Sequence, residues 1–436
     1  MADCPGVHRL ALTRDGALAR IRVPGGSLTA AQMRAIASLA SDEGNGRIDL
    51  TNRANLQVRG LSEHRAPAIA TRLADAGLLC ADPVADRLRN ITASPLSGLD
   101  TTALLDVRQM IPAIEDTVCS FPHRHALSVK FAVVLGDGGR APMTTVAHDL
   151  AFYAEPGPDA PQMRLWLAGR ETQVAVAAAD VSTTVARALE LMAERGASRI
   201  RELIANLPHA ECADAIAGPH AFHCQPHEAT EARPWLPLGT ITDARAIVAG
   251  VPLAQFSPEQ LSGLADILDT YGTGALRLTP WQSVVVPLAA DAAPANAEAA
   301  LGIAAFETRC PPVHVVACAG ASGCLRTTMD TKRDAAALRK HFAACPAPVV
   351  RSDRTVPIVH LSGCARSCAM TTPADVLALA QEATDESAGD SATYALYDDT
   401  RPSCLDGALA HSDAVNPDAL TETVTAMFSN RAEKAG

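Results

Sequence analysis

The chain has 436 residues, which at about 150 residues per domain indicates roughly three domains. Hydrophobic residues make up 48% and charged residues 19%, so the composition excludes a chain that is disordered throughout. The net charge of −11 argues against a general nucleic-acid or anionic-membrane binder. No apolar run approaches the ~18 residues of a transmembrane helix. We therefore expect neither nucleic acid nor membrane among the partners.

The first residues lack the basic and apolar regions of a secretory signal, so we expect a cytoplasmic protein. Disulfides are rare in that compartment. Among the 12 cysteines, some should therefore be metal ligands.

An internal repeat organises the chain. Residues 23–60 align without gaps onto residues 251–288, and both copies carry a capping box ahead of apolar residues at helical spacing. The capping pairs are Thr29 with Gln32 and Ser257 with Gln260. Each helix is predicted to stop at a glycine in the left-handed conformation, Gly44 or Gly272. Two strands of period two follow in each copy.

Each copy is about half a domain, because one such unit leaves a sheet face uncovered. We expect the copies to pair around a pseudo-two-fold axis and to alternate with two α+β modules. In the first module the pattern predicts strands at 128–135 and 163–167, and helices at 181–195 and 197–207. The predicted parts are half-domain 1 at 1–78, module 1 at 88–215, a linker at 216–236, half-domain 2 at 237–296 and module 2 at 300–430.

Four cysteines form two closely spaced pairs in the second module. Cys318 and Cys324 make C-x5-C, and Cys364 and Cys368 make C-x3-C. Each pair follows an apolar run typical of a strand, and a glycine precedes one cysteine of each pair, so backbone amides can approach the sulfurs. Four thiolates with amide donors suit an iron–sulfur cubane. Buried free cysteines, or a zinc site that tolerates the longer spacing, are the alternatives.

With the repeat, the quartet resembles the nitrite/sulfite reductase superfamily, whose members bind a 4Fe–4S cluster through C-x5-C and C-x3-C. Three shorter segments extend the resemblance over nearly the whole chain. Residues 51–57 look like the family's T-x-R-x-x-x-Q tetrapyrrole-binding segment, residues 89–96 like its R-N-x-x-x-x-P-L loop, and residues 130–131 like its K-F strand. The resemblance implies an α+β fold of two ferredoxin-like half-domains alternating with two α+β iron–sulfur-type modules.

The superfamily contains sirohaem-dependent nitrite and sulfite reductases and an oxygen-dependent branch, the precorrin-3B synthases of aerobic cobalamin biosynthesis. The chain resembles that branch most in its length, its Cys-Pro-Gly opening at residues 4–6 and its residues 19–26. Sulfite reductases carry a second basic residue two positions after the strand lysine, where this chain has Ala132. A small oxyanion would therefore lack one cation.

The resemblance implies an oxidoreductase that hydroxylates precorrin-3A at C20 with O2 and closes the ring A acetate into a γ-lactone. It implies a 4Fe–4S cluster, a mononuclear non-haem iron and NADH as electron source. A sirohaem-dependent nitrite or sulfite reductase is one alternative. A non-catalytic tetrapyrrole-binding or redox-sensing iron–sulfur protein is another.

The candidate substrate ligands come from the three resembling segments. They are Arg53, Asn55, Gln57, Arg89 and Lys130. A precorrin is a polycarboxylate, and arginines bind carboxylates bidentately. A surface ion pair is the alternative for Arg53 and Arg89. Arg20 and Arg22 are expected on a solvated strand edge, and Trp281, the counterpart of Arg53 in the repeat, packs either on the macrocycle or in the core.

Ligands for a second iron are less evident. His123 and His125 would share one strand face and could begin a 2-His-1-carboxylate site. Alternatively, His125 and Arg124 contact substrate carboxylates. Residues 220–227 carry a second candidate, His-x-x-His-Cys-x-x-His, and His148 with Asp149 is expected to be a structural pair.

No G-x-G-x-x-G follows a strand, so no flavin or nicotinamide domain is predicted. NADH is therefore expected to act through a separate reductase or small redox carrier. The sequence predicts no catalytic acid or base.

Overall fold

The computed structural model describes residues 5–226, 235–344, 356–366, 368–370, 372–381, 392–400, 405 and 410–435. The chain forms two compact units. The first comprises residues 1–11 and 17–308, and the second comprises residues 12–16 and 309–436. Within the described residues, no helix has both the length and the apolar character needed to cross a bilayer.

The first repeat folds as predicted into a helix between strands. Its elements are β1 (Ala11–Thr13), β2 (Gly16–Ile21), β3 (Ser27–Thr29), α1 (Ala30–Asp42), β4 (Ile48–Leu50), β5 (Leu56–Leu61) and α2 (Ala66–Asp75). Strand β5 pairs antiparallel with both β2 and β4.

The first module follows in the same compact unit. Its elements are α3 (Pro83–Leu88), β6 (Ile91–Ala93), α4 (Ile111–Ser120), β7 (Val133–Gly136), β8 (Leu150–Glu155), β9 (Gln162–Leu167), β10 (Arg170–Ala177), α5 (Val181–Glu194), α6 (Ile200–Leu203), α7 (His209–Ala217) and β11 (Phe222–His223). The sheet order is β11-β10-β9-β8-β7-β6. Strands β6, β7 and β8 are parallel, and the remaining pairs are antiparallel.

The second repeat reproduces the first. Its elements are β12 (Gly239–Ile241), β13 (Ala246–Gly250), β14 (Gln255–Phe256), α8 (Pro258–Tyr271), β15 (Ala275–Leu278), β16 (Ser283–Pro287) and α9 (Pro294–Ile303). The two repeats exchange a strand reciprocally: β3 pairs with β15, and β14 pairs with β4. Helices α1 and α8 pack together, and one apolar core runs through both repeats. The reciprocal exchange is the pairing that the pseudo-two-fold prediction requires.

Both predicted capping boxes are present, but the glycine prediction was wrong. Gly272 is extended (φ −99°, ψ 179°), and Gly44 does not have a positive φ. The left-handed residues lie two positions later, at Gly46 (φ 75°) and Gly274 (φ 66°). Gly44 is needed for another reason, because a Cβ there would lie 2.6 Å from the carbonyl oxygen of Arg59.

The second unit carries the second module. Its elements are β17 (His314–Ala317), α10 (Thr331–Ala344), β18 (Ile358–Ser362), β19 (Ala374–Gln381), β20 (Thr393–Thr400), β21 (Ser412–Val415) and α11 (Leu420–Ala435). Strands β17, β18 and β19 are parallel, and β20 and β21 continue the sheet antiparallel. This order repeats that of β6 to β10, so the two modules share one topology.

Two predicted elements of the first module are too long. Residues 128–132 form a turn rather than the start of a strand, because the carbonyls of Val129 and Phe131 accept hydrogen bonds from the Asn90 side chain. The helix predicted at 197–207 shrinks to α6, since the extended backbone of Arg199 (φ −143°, ψ 148°) precedes it. The predicted linker also begins inside the fold, because β11 pairs with β10.

Candidate functional site

The four paired cysteines follow two neighbouring parallel strands of the second unit. Cys318 comes directly after β17, and Cys364 comes two residues after the end of β18. The carboxyl ends of parallel strands lie at the same edge of a sheet, so the two cysteine loops meet there. The backbone N–H of Cys318 donates to the carbonyl of Leu361 (3.2 Å), which fixes the first loop beside β18.

Backbone amides reach the sulfurs as the sequence predicts. The N–H of Gly363 donates to Sγ of Cys318 (3.2 Å), and the N–H of Arg326 donates to Sγ of Cys324 (3.4 Å). Gly363 must be a glycine, because a Cβ there would lie 2.6 Å from the Thr327 side chain. These donors stabilise negative charge on sulfur.

The four thiols also interact electrostatically. Cys368 exposes part of its surface, but its thiol lies in a crowded protein environment. This burial, with the charges of Cys364, Cys318 and Cys324, raises the pKa of the Cys368 thiol to about 11, although Arg366 opposes the shift. Four adjacent thiolates therefore repel one another unless a cation binds between them.

A 4Fe–4S cluster and a single zinc ion would place the four sulfurs differently. In the part of the chain that the structure describes, no three His, Cys, Asp or Glu side chains are placed to share one metal ion. A zinc ion would draw four sulfurs to ~2.3 Å from one centre. In a cubane each iron binds a different thiolate, so the sulfurs lie further apart. The donor chemistry of the quartet, four thiols with backbone N–H groups donating to Sγ of Cys318 and Cys324, is the kind that an iron–sulfur cluster requires.

In the first unit, one buried side chain, Asn90, joins two of the three resembling segments, 89–96 and 130–131, while the hydroxyl of Thr92 donates to the carbonyl of Arg53 (3.5 Å) in the third. The amide nitrogen of Asn90 donates to the carbonyls of Arg87 (3.1 Å), Val129 (3.2 Å) and Phe131 (3.1 Å). Its oxygen accepts from Nε of Arg22 (3.3 Å). Asn90 therefore holds the loop that carries Lys130 against its own segment. We did not single it out from the sequence, although its place beside Arg89 in the R-N pair was the available signal.

Asn90→Ala should lower the free energy of unfolding by about 2–4 kcal/mol, because it leaves buried polar groups without partners. Urea unfolding of the purified protein measures this loss. The exposed Asn206, whose amide bonds only the carbonyl of Glu202, provides the control. Asn206→Ala should change stability by no more than about 0.5 kcal/mol. Equal effects from both variants would contradict the central role of Asn90.

Arg53 lies on a tight loop between β4 and β5. The hydroxyl of Thr51 accepts from the backbone N–H groups of Arg53 (3.4 Å) and Asn55 (3.1 Å). The buried Asn55 in turn accepts from the backbone N–H of Val23 (2.8 Å). Asn55 therefore shapes the loop that presents Arg53, and its oxygen is already engaged.

The prediction of a solvated edge for Arg20 and Arg22 was wrong. Arg22 is only 1% exposed. Arg20 lies opposite Gln57 on β5, whose amide oxygen accepts from Nε (2.8 Å) and Nη2 (2.6 Å) of Arg20. Gln57 on β5 therefore orients the guanidinium of Arg20 on the neighbouring strand β2.

Arg89 and Lys130 differ in the number of ion pairs and hydrogen bonds that their side chains make with the protein. Arg89 donates from Nε to Glu115 (2.6 Å) and from Nη1 to Asp86 (3.3 Å). No contact uses its Nη2 among the described residues. Lys130 is exposed on a turn, not on a strand, and its ammonium has no protein partner in the described part of the chain. Lys130 is therefore better placed than Arg89 to bind an anion.

The predicted second-iron pair lies in a different local structure from the one expected. His123 precedes a 3-10 turn at residues 124–126 and His125 lies within it, rather than on a strand, and their ring centroids are 6.5 Å apart. Both are exposed. Arg124 between them pairs with Asp82 (2.6 Å). His220 and His223 are exposed at the sheet edge, and residue 227 lies outside the described residues.

Two further expectations concern structural residues. His148 bonds the carbonyl of Val146 (2.8 Å), whereas Asp149 accepts from Arg199 (2.7 Å), so each is held by a different hydrogen-bond partner and the two interact only electrostatically. Trp281 packs beside the apolar clusters of the first unit and donates from Nε1 to Thr145 (3.1 Å). These contacts favour the core alternative for Trp281.

The chain matches two family models. Residues 12–76 and 242–301 match the nitrite/sulfite reductase ferredoxin-like half domain. Residues 84–180 match the nitrite and sulphite reductase 4Fe-4S domain, a range that does not include the cysteine quartet. The chain belongs to the nitrite/sulfite reductase superfamily.

Its relatives fall in both branches of that superfamily. A precorrin-3B synthase from Sinorhizobium sp. is 28% identical over 86% of this chain and 79% of its own length. A ferredoxin–nitrite reductase from Synechococcus elongatus is 27% identical over 85% of this chain and 77% of its own length. The fold resembles the NirA protein of Mycobacterium tuberculosis, with a TM-score of 0.75, 19% identity, and coverage of 94% of this chain and 79% of that one.

Proposed function

We propose that this protein is a precorrin-3B synthase-like monooxygenase, which hydroxylates precorrin-3A at C20 with O2 and closes the ring A acetate γ-lactone. Ala132 is the observation that carries the choice. This side chain is 3% exposed, and its backbone N–H donates to the buried Asp149 (3.1 Å). A lysine at this position would have to bury its charge. The second cation of the sulfite reductases therefore has no place here, whereas a large polycarboxylate does not need it.

The first unit would bind the substrate through its carboxylates. Lys130 supplies an exposed ammonium and Arg53 a guanidinium on a shaped loop. Arg89 keeps one Nη group for a carboxylate while Glu115 and Asp86 fix its plane. The oxygen of Asn55 is used in shaping the loop that carries Arg53, and the oxygen of Gln57 orients Arg20, so neither oxygen would bind the substrate. Cations held by the fold bind an anion with little loss of side-chain entropy.

Cys318, Cys324, Cys364 and Cys368 would hold a 4Fe–4S cluster, which supplies electrons one at a time. The amides of Gly363 and Arg326 would donate to its thiolates, and the same contacts would fix the ligand geometry. We propose that NADH reduces it through a separate reductase or small carrier. Steady turnover of precorrin-3A by the purified protein with NADH alone would contradict this.

A mononuclear iron site does not fit the described residues. No third ligand accompanies His123 and His125 among them, so a 2-His-1-carboxylate triad is incomplete. We assign no step to a second iron, and His123 and His125 stay a prediction.

A sirohaem-dependent reductase is the second candidate, favoured by the 27% identity to a ferredoxin–nitrite reductase. The absorbance spectrum of the purified protein separates the two. A broad iron–sulfur shoulder without a Soret band, and no macrocycle on acid extraction, supports the oxygenase. Soret and red bands that match bound sirohaem would overturn it.

A non-catalytic tetrapyrrole-binding or redox-sensing protein is the third candidate. It would bind a precorrin and hold a cluster but would consume no oxygen. An oxygen electrode with precorrin-3A and a reducing system distinguishes it from the oxygenase.

A further inference from the structure

One buried imidazole of the second unit has no hydrogen-bond partner among the residues that the structure describes. His360 lies in β18 and is 0% exposed, yet neither ring nitrogen makes a hydrogen bond among the described residues. An imidazole carries at least one N–H in either protonation state. Leaving such a donor buried and unpaired costs about 1–3 kcal/mol. A group that accepts from this ring would remove the cost.

The strand register places His360 on the sheet face that is free of α10. His360 lies opposite Val316 of β17, and Leu361 lies opposite Ala317. Successive residues of a strand point to opposite faces, so His360 and Leu361 are on different faces. Tyr394, on the Leu361 face, donates to Asp334 of α10 (2.8 Å). Helix α10 therefore covers the other face from His360.

The first module shows what covers this face in the shared topology. Val134 stands two residues before the end of β7, as His360 stands two before the end of β18. Val134 packs against Ala141 and Met143, which belong to the loop that leaves β7. The corresponding loop after β18 carries Cys364 and Cys368. The shared topology therefore predicts that the start of the second cysteine loop lies on the side of the sheet that bears His360.

The hydrogen bonds at the end of β18 support the same placement. Ser362, on the face of His360, donates from Oγ to the carbonyl of Cys364 (2.8 Å). The next residue, Gly363, donates to Sγ of Cys318 (3.2 Å). The residues that directly follow His360 on β18 therefore contact Cys364 and Cys318 of the quartet.

We propose that His360 is a positioning residue of the cluster site, whose ring N–H donates a hydrogen bond to a sulfur of the cluster bound by the quartet. The inference rests on the cluster in the proposed function. Sulfur becomes more negative when the cluster is reduced, so a donor stabilises the reduced state and raises the reduction potential.

The test is an EPR-monitored redox titration of the cluster-loaded protein. His360→Leu removes the donor while keeping an apolar side chain of similar size. The ratio of reduced to oxidised cluster at a fixed potential should fall about tenfold, which is about 59 mV for one electron. His360→Gln keeps an N–H and should restore most of the ratio. An unmoved potential in His360→Leu overturns the proposal.

His314 provides the matched control. It lies on β17 opposite Ile358, on the same sheet face as His360 but at the other end of the strands. His314→Leu should leave the potential unchanged. An equal shift in both variants would mean that the loss of any imidazole from this sheet face disturbs the unit, and it would overturn the specific role of His360.

A measurement on the unaltered protein decides the case if His360→Leu does not retain its cluster. Pulsed EPR of protein labelled with ¹⁵N-histidine should detect a nitrogen coupled to the reduced cluster, and the absence of this coupling overturns the proposal. Unaltered protein without iron and sulfide would contradict the cluster itself. A potential that depends on His360 in a protein inactive on precorrin-3A would contradict only the proposed reaction.

Discussion

Cys318→Ser is expected to abolish the intact cluster. Sγ of Cys318 accepts from the N–H of Gly363 (3.2 Å) and lies 3.4 Å from the hydroxyl of Thr331, so the fold prepares this position for a thiolate. A serine hydroxyl neither ionises near neutral pH nor provides the soft donor that iron–sulfur clusters require. Iron and acid-labile sulfide per chain should fall well below the wild-type content, and the EPR signal of the reduced protein should disappear or change its form.

Cys310→Ser is the control for this loss. Cys310 is exposed and belongs to the same unit, but it lies outside the quartet. Its replacement should leave the iron and sulfide content unchanged. A Cys318→Ser protein that keeps the wild-type iron-to-sulfide content and EPR signal would contradict the ligand assignment.

Arg53→Ala is expected to weaken precorrin-3A binding by about 2–5 kcal/mol, which is roughly thirtyfold to several-thousandfold in the dissociation constant. Thr51 and Asn55 hold the loop on which Arg53 lies, so under the proposed function this substitution removes one cation that pairs with a substrate carboxylate. Anaerobic titration of the protein with precorrin-3A measures the constant without turnover.

Arg34→Ala is the matched control, because Arg34 is an exposed arginine of the same unit that pairs with Asp266 and Asp269. It should leave the binding constant unchanged. Arg53→Lys should fall between the two, since an ammonium keeps the charge but not the bidentate geometry. An unaltered constant in Arg53→Ala would assign Arg53 to the protein surface.

The local elements of the repeats could be predicted because short-range chemistry determines them. Capping boxes, helical spacing and strand alternation involve residues only two to four positions apart. The reciprocal exchange of β3 and β14 could not be predicted in this way, because alternation indicates a strand but not the sheet that it joins. The same limit explains the error at Gly44, where a neighbouring strand, not the helix end, requires glycine.

The sequence could predict which segments form the candidate site, but not what each of their side chains does there. The order of the motifs indicated which segments matter, and the structure links them through Asn90 and through the contact of Thr92 with Arg53. The order of the motifs could not indicate that Val23 and Arg20 already engage the oxygens of Asn55 and Gln57, because these partners lie more than 30 residues away in the sequence. The sequence did not indicate a role for His360, because a single polar residue in an apolar strand gives no pattern. Its burial and its ring nitrogens without hydrogen bonds among the described residues are evident only in the structure.

The most direct test of the proposed function is incubation of the reduced, cluster-loaded protein with precorrin-3A under ¹⁸O2, followed by mass spectrometry of the product. A product that gains a single heavy oxygen atom, with O2 consumed in step, is the expected result. A substrate recovered unlabelled, from a protein that instead reduces nitrite or sulfite, would contradict it.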